Sequence, residues 1–173
     1  MKAGSKILVS CADRVVWIRV EGKGSSTEST ALKDFAKEMI HRGVREFIVD
    51  LRNCPGMDST FMGTLAGISL RLRELGDGYL SVVNPNKRNA ESLHSLGLDQ
   101  LFNVRLSPTK EDGQALGIPL KEDRTAQAQT MLEAHEALIE AVPENLSKFK
   151  DVIQYLEEEL HLSKRASPEE KKR

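Results

Sequence analysis

The chain has 173 residues, with 25 Lys and Arg against 26 Asp and Glu, for a formal net charge of −1. That balance gives no basic surface for nucleic acid or an anionic membrane as the main partner. No uninterrupted apolar run approaches the ~20 residues that cross a bilayer, so membrane insertion is not expected.

The length suits one compact domain plus an appendage. Cys11 and Cys54 lack metal or redox spacing, and His41, His94, His135 and His161 are scattered. No metal site is therefore expected. The opening stretch MKAGSKILVSCADR lacks the apolar core of a secretory signal. A cytoplasmic protein with reduced thiols is the expectation.

In chain order, Lys6–Ser10 reads as a first strand, Cys11-Ala12-Asp13 as a turn, and Arg14–Glu21 as a second strand with apolar residues on both faces. Residues 22–30 are rich in Gly, Ser and Thr and read as a loop with several N-cap types. Leu32, Phe35, Ala36, Met39 and Ile40 mark an amphipathic helix closed by Gly43. Glu46–Leu51 is a third strand.

It leads into the corner Cys54-Pro55-Gly56-Met57-Asp58-Ser59-Thr60. Proline and glycine supply turn chemistry, and Asp58, Ser59 and Thr60 are all good N-caps. Phe61, Leu65, Ile68, Leu72 and Leu75 then recur at helical spacing. Ser59 is thus expected at a helix N-terminus, where backbone N–H groups without intrahelical partners and the macrodipole favour an anion. Ser59, Gly63 and Gly67 form a row of little bulk that lets another backbone or a partner approach closely. Such a triplet serves in many helices only as a cap. A hydrolase reading lacks the G-x-S-x-G elbow, and no local pattern ties a histidine to Ser59.

Arg71 and Arg73 read as a solvated face, and Gly76-Asp77-Gly78 stops the helix. Tyr79–Asn84 is a fourth strand. Asn84-Pro85-Asn86 turns into a helix in which Ala90, Leu93 and Leu96 face the core, with Gly97 at its end. Val104–Leu106 is a last edge strand. The order β-β-α-β-α-β-α-β over residues 1–108 implies an α/β domain with helical crossovers between parallel strands.

Residues 109–123 read as a linker without sustained period. Residues 124–162 read as a helical hairpin. One apolar stripe carries Met131, Leu132, Ala134, His135, Leu138, Ile139 and Val142. Pro143-Glu144-Asn145 breaks it, and Leu146, Phe149, Val152, Ile153, Leu156 and Leu160 resume it. His135 reads as a boundary residue of the stripe, and Glu157-Glu158-Glu159 as a solvated face. Residues 163–173 form a charged tail expected to be disordered. Isolated short helices are marginal in water, so the hairpin must pack. It is expected to cover the bare sheet face near Val15, Trp17 and Ile48, or to pair with a second copy in a homodimer.

Three linked stretches carry a resemblance. They are V-D-L-R-N-C-P-G-M-D-S-T-F-M-G-T-L at 49–65, G-D-G-Y-L-S-V-V-N-P-N at 76–86 and L-H-S-L-G-L-D-Q-L-F at 93–102. Together they resemble a STAS domain of the bacterial anti-sigma factor antagonists, over about residues 5–106. The resemblance implies a mixed sheet with helices packed mainly on one face, and a protein that switches partners, catalyses nothing and needs no cofactor. It implies that the unmodified protein binds an anti-sigma factor that is a histidine-kinase-like serine kinase. That kinase phosphorylates the serine after the aspartate, here Ser59, and a serine phosphatase reverses the step. Asp58, Thr60, Phe61, Met62 and Gly63 are then the expected partner contacts. Many members carry glycine where this chain has Phe61, and a large ring there would alter the docking surface. The alternative implied is a non-phosphorylated STAS adaptor subunit of a lipid-transport or signalling-scaffold complex.

Overall fold

The computed structural model describes residues 4–108, 113–115 and 124–166. The elements are β1 (Lys6–Ala12), β2 (Val15–Glu21), α1 (Ser26–His41), β3 (Glu46–Asp50), α2 (Ser59–Glu74), β4 (Tyr79–Val83), α3 (Lys87–Ser95), β5 (Asn103–Arg105), β6 (Gln114–Ala115), α4 (Arg124–Ala141) and α5 (Leu146–Ala166).

The sheet runs β5-β4-β3-β2-β1-β6. β1 and β2 are antiparallel, while β2, β3, β4 and β5 are parallel neighbours. Register places Val16 beside Phe47 and Ile18 beside Val49. It then sets Phe47 beside Leu80 and Val49 beside Val82. Successive strand residues point to opposite faces, so these side chains line one face. They are all buried there with Leu32 and Ala36 of α1, Leu65 and Leu72 of α2 and Leu93 of α3. The helices and the main core therefore lie on the same side of a mixed sheet.

Several local details differ from the sequence reading. β1 runs two residues further than expected, and the hairpin turn is Asp13-Arg14, with φ of 53° and 65°. A two-residue turn of this hand matches the strand twist, although it forces two non-glycine residues into the left-handed region. α1 begins at Ser26, inside the stretch read as loop, because Ser25 and Glu28 form a capping box. In α3 the inward position is Asn89, with Leu93 and Leu96; Ala90 is exposed. Asn89 turns inward because its amide donates to the Cys54 carbonyl at 2.8 Å.

Within the expected linker, Gln114 and Ala115 add a short antiparallel strand beside Val9 and Leu8. Two residues are too few to show a period. α5 continues four residues into the expected tail, to Ala166; residues 167–173 lie outside the described residues.

The hairpin does not cover the free face of the sheet. α4 lies on α2, and to a lesser extent on α1, forming a third layer outside the first helices. Ala137 and Leu138 join the main core, with Ala141 and Phe149 against it. Between α4 and α5, Ala128, Leu132, Leu156 and Leu160 form a small separate core. The helices of the first layer thus offer the apolar contact that the stripe needed, and Ile48 is 4% exposed on the other side of the sheet without it.

Candidate functional site at the Asp58–Ser59 corner

The chain leaves β3 through Leu51, turns at Cys54-Pro55-Gly56, and enters α2 at Ser59. The turn is held from several sides. Cys54 N–H donates to the Leu51 carbonyl at 3.0 Å, and Gly24 N–H donates to the Gly56 carbonyl at 3.0 Å. Asp58 N–H donates to the Gly24 carbonyl at 2.9 Å. Burial pushes the Cys54 thiol up, against smaller opposing hydrogen bonds from the Gly24 and Gly56 backbone. It is a packing residue of the corner.

Asp58 is the N-cap of α2 and also a tie to α1. Its Oδ1 accepts from Phe61 N–H at 2.9 Å and its Oδ2 accepts from Ser26 N–H at 3.0 Å. One carboxylate therefore serves the first turns of two helices, which brings two positive dipole ends to one corner. The α1 end is further closed by Glu28, which accepts from Ser25 N–H at 2.9 Å and Ser25 Oγ at 2.6 Å. The motif S-S-T-E at 25–28 was a legible capping signal that the sequence reading passed over.

Because Asp58 does the capping, the Ser59 hydroxyl is free for another bond. It lies 3.0 Å from Nε2 of His135 on α4. His135 Nδ1 lies 2.6 Å from the Met131 carbonyl, one helical turn back. A carbonyl can only accept, so Nδ1 carries the proton; in the neutral ring Nε2 is then an acceptor, and Ser59 donates to it. The His135 ring also meets Phe149 edge-on, with centroids 5.0 Å apart. Far from marking a boundary, His135 is 2% exposed. A serine hydroxyl on an imidazole is also the arrangement of a nucleophile and its base. The ≈ 240 Å³ cleft between α1, α2 and α4 lies further along α2, however, and is lined by Gly63, Gly67 and Ala134 rather than by Ser59 or His135.

Of the expected partner contacts, only Asp58 has partial exposure, as does Ser59; Thr60, Phe61, Met62 and Gly63 are buried. The expectation that Phe61 reshapes the docking surface does not hold. Its ring is 0% exposed and lies beneath Gly24, where a Cβ would stand 2.7 Å from Cδ1 of the ring. Gly63 is covered by α4 so closely that a Cβ would collide with the Ala134 carbonyl, and a Cβ on Gly67 would be 3.6 Å from the Ala137 Cβ. The row of small residues does admit a close backbone, and that backbone is the chain's own.

α4 is tied to α1 as well. Thr30 Oγ1 donates to Thr130 Oγ1 at 2.9 Å, and Lys33 Nζ reaches Glu133 Oε2 at 3.1 Å. Burial alone would push the Glu133 carboxyl up. Hydrogen bonds from Gln129 and Lys33, with the charges of Lys33 and Lys37, outweigh it and hold the group below its ordinary range. At the other end Asn145 Nδ2 donates to the carbonyls of Leu96 and Leu138, both at 3.0 Å. Among the described residues no group of three or more side chains could hold a metal ion, and no helix is long and apolar enough to cross a membrane.

A family model described as "Mlab, STAS domain" matches residues 7–106, more than half of the chain. No curated protein matches. Among solved structures, a protein of Thermotoga maritima described as a candidate anti-sigma factor antagonist is 17% identical, with a TM-score of 0.55 over 59% of this chain and 87% of its own. The anti-sigma factor antagonist SpoIIAA in its unphosphorylated form is 19% identical, with a TM-score of 0.53 over 58% and 87%. An anti-sigma factor antagonist of Mycobacterium paratuberculosis is 23% identical, with a TM-score of 0.52 over 61% and 87%. At these identities the likeness is one of fold.

Proposed function

The chain belongs to the STAS-domain family, and on that premise we propose that it is a protein-binding antagonist of an anti-sigma factor, switched at Ser59. The observation that carries this reading is the division of labour at the corner. Asp58 caps α2 and reaches α1, so the fold does not need the Ser59 hydroxyl as a cap, and Ser59, at the first helical position, is partly exposed with its hydroxyl turned to His135. A phosphate there adds a charge of about −1.5 to −2. The first turn of a helix tolerates that charge, so the effect falls on whatever docks against the corner. In this reading a histidine-kinase-like serine kinase binds the unmodified protein, phosphorylates Ser59 and releases it, and a serine phosphatase restores it. The chain is the substrate of that cycle and performs no chemistry of its own.

The test is intact-mass analysis after incubation with ATP and each histidine-kinase-like serine kinase of the same genome in turn. A gain of one phosphoryl mass that disappears in Ser59→Ala supports the switch; no gain with any cognate kinase sinks it. A second reading, an adaptor subunit whose Ser59 stays unmodified, is favoured by two observations. The matching family model is of the Mlab type, and the hydroxyl is already held by His135. The same experiment separates the two readings, and neighbouring genes for lipid transport would favour the adaptor.

A further inference from the structure

We propose that the α4–α5 hairpin is a built-in competitor for the partner: α4 occupies the face of α2 next to Ser59 and must lift before that serine can be bound or phosphorylated. This rests on the reading of Ser59 as the partner's contact and adds the regulation of that site.

Three observations lead to it. The first is steric. Helices α2 and α4 share the most extensive helix–helix contact of the described chain, and it is built on close approach. The Ala134 carbonyl fills the space above Gly63, and Ala137 stands over Gly67. A partner element reaching Gly63 would have to take the same volume.

The second is chemical. Ser59 Oγ gives its proton to His135 Nε2 across 3.0 Å. Phosphorylation replaces that hydrogen with a phosphoryl group, so the hydroxyl bond that joins Ser59 to His135 is lost. The modification also leaves Nε2 without its donor. Phosphorylated Ser59 therefore disfavours closed α4, and by linkage closed α4 disfavours phosphorylation to the same degree.

The third is separability. The family domain ends at residue 106, before the hairpin begins. The hairpin keeps a small core of its own, Ala128, Leu132, Leu156 and Leu160. Its closest approach to α2 sets glycines against alanines, which bury little apolar area per residue, while Leu138 is the large α4 side chain that enters the main core. The ties of α4 to Ser59, Thr30 and Lys33 must break on lifting, while at the far end Asn145 ties the hairpin turn to the Leu96 carbonyl at the end of α3. Lifting pivots there. The partner that fits the uncovered face presents a helix whose contact residues are as small as Ala134 and Ala137.

A disulfide lock tests this on the full chain. A Cβ at position 67 stands 3.6 Å from the Ala137 Cβ, inside the range that a disulfide bridges. The variant Gly67→Cys/Ala137→Cys, with Cys11→Ser to remove the exposed thiol, is compared oxidised and reduced. Two measurements are made: hydrogen exchange of the α4 amides against those of β3, and the rate of phosphoryl mass gain with ATP and the histidine-kinase-like serine kinases of the same genome. The expected result is that reduced α4 exchanges well before β3. Oxidation should bring α4 close to the β3 level and slow phosphorylation by roughly tenfold or more, reversed by dithiothreitol. If reduced α4 exchanges only together with β3, or if the locked protein is phosphorylated at the rate of the reduced one, the inference is overturned. If no form gains mass while α4 opens on its own and the lock closes it, α4 remains a separable cover of Ser59, and the phosphoacceptor reading is what fails.

Discussion

Ser59 on α2 donates its hydroxyl proton to Nε2 of His135 on α4 at 3.0 Å, across 76 positions of the chain. The imidazole is oriented for this by its other nitrogen, which donates to the Met131 carbonyl at 2.6 Å. The bond is mutual in its consequences. It ties the hairpin to the first helices, and it occupies the serine hydroxyl hydrogen that a phosphoryl group would replace.

A double-mutant cycle isolates that bond. Ser59→Ala and His135→Ala should each destabilise the chain in urea, the histidine change more, because it also removes the edge contact with Phe149. The coupling between them should be about 0.5–1.5 kcal/mol. Strict additivity would mean that the hydroxyl and the ring do not interact in solution.

Gly63 and Gly67 sit one turn apart on the same face and should answer differently to alanine. In an exposed helix each change would stabilise by up to ~1 kcal/mol. At Gly67 the added methyl meets Ala137 at 3.6 Å, an ordinary contact, so Gly67→Ala should be neutral or stabilising. At Gly63 the methyl collides with the Ala134 backbone, so Gly63→Ala should destabilise by about 1–3 kcal/mol and speed exchange of the α4 amides. Equal melting temperatures for the two variants would show that α4 does not lie where it is placed.

The carboxylate shared by two helix starts gives a third prediction. Asp58→Ala removes the acceptor for both Phe61 N–H and Ser26 N–H and should lower stability by about 1–2 kcal/mol. Asp58→Asn keeps one good oxygen acceptor and should lose less. A chemical denaturation series of the three proteins checks the order, and an Asn variant as unstable as the Ala variant would contradict it.

Two carboxylates of α4 have opposite pH signs. Glu133 is depressed overall, because Gln129, Lys33 and Lys37 outweigh its burial. Its contribution is therefore present above the unfolded value near ~4.3 and is lost as pH falls through the folded one. Glu136 is raised, by burial first and then by Glu157 and Glu133. Its contribution is present below the unfolded value and is lost as pH rises through the folded one. At neutral pH Glu133→Gln should cost about 0.2–1 kcal/mol, at the low end because the pair is largely solvated. Glu136→Gln should be neutral or slightly stabilising. Both differences should close in acid, and denaturation midpoints at neutral pH and at pH 3 measure them. A Glu133→Gln protein as stable as its parent at neutral pH would remove the ion pair from the account.

The small side chains along α2 show how far the sequence could be read. Spacing from Phe61 to Leu75 made the helix legible, the aspartate–serine pair marked its start, and Gly63 and Gly67 announced a close neighbour. None of these features names the neighbour. The capping box at Ser25–Glu28 was also legible and was read as loop because serine and threonine dominate there. Asn89 escaped because its inward turn depends on the Cys54 carbonyl, which only the folded chain brings near.

Periodicity and turn chemistry, being local, were enough to specify the helices, the strands other than β6, and the corner, while the likeness of three motif stretches carried the family. An apolar stripe states that a helix must be buried, and leaves open against what; the stripe on α4 would have suited a sheet face or a second copy as well. Tertiary structure chose α2, because its two glycines let a backbone come close. That choice brought a histidine with no local signal onto the serine that local signals had singled out.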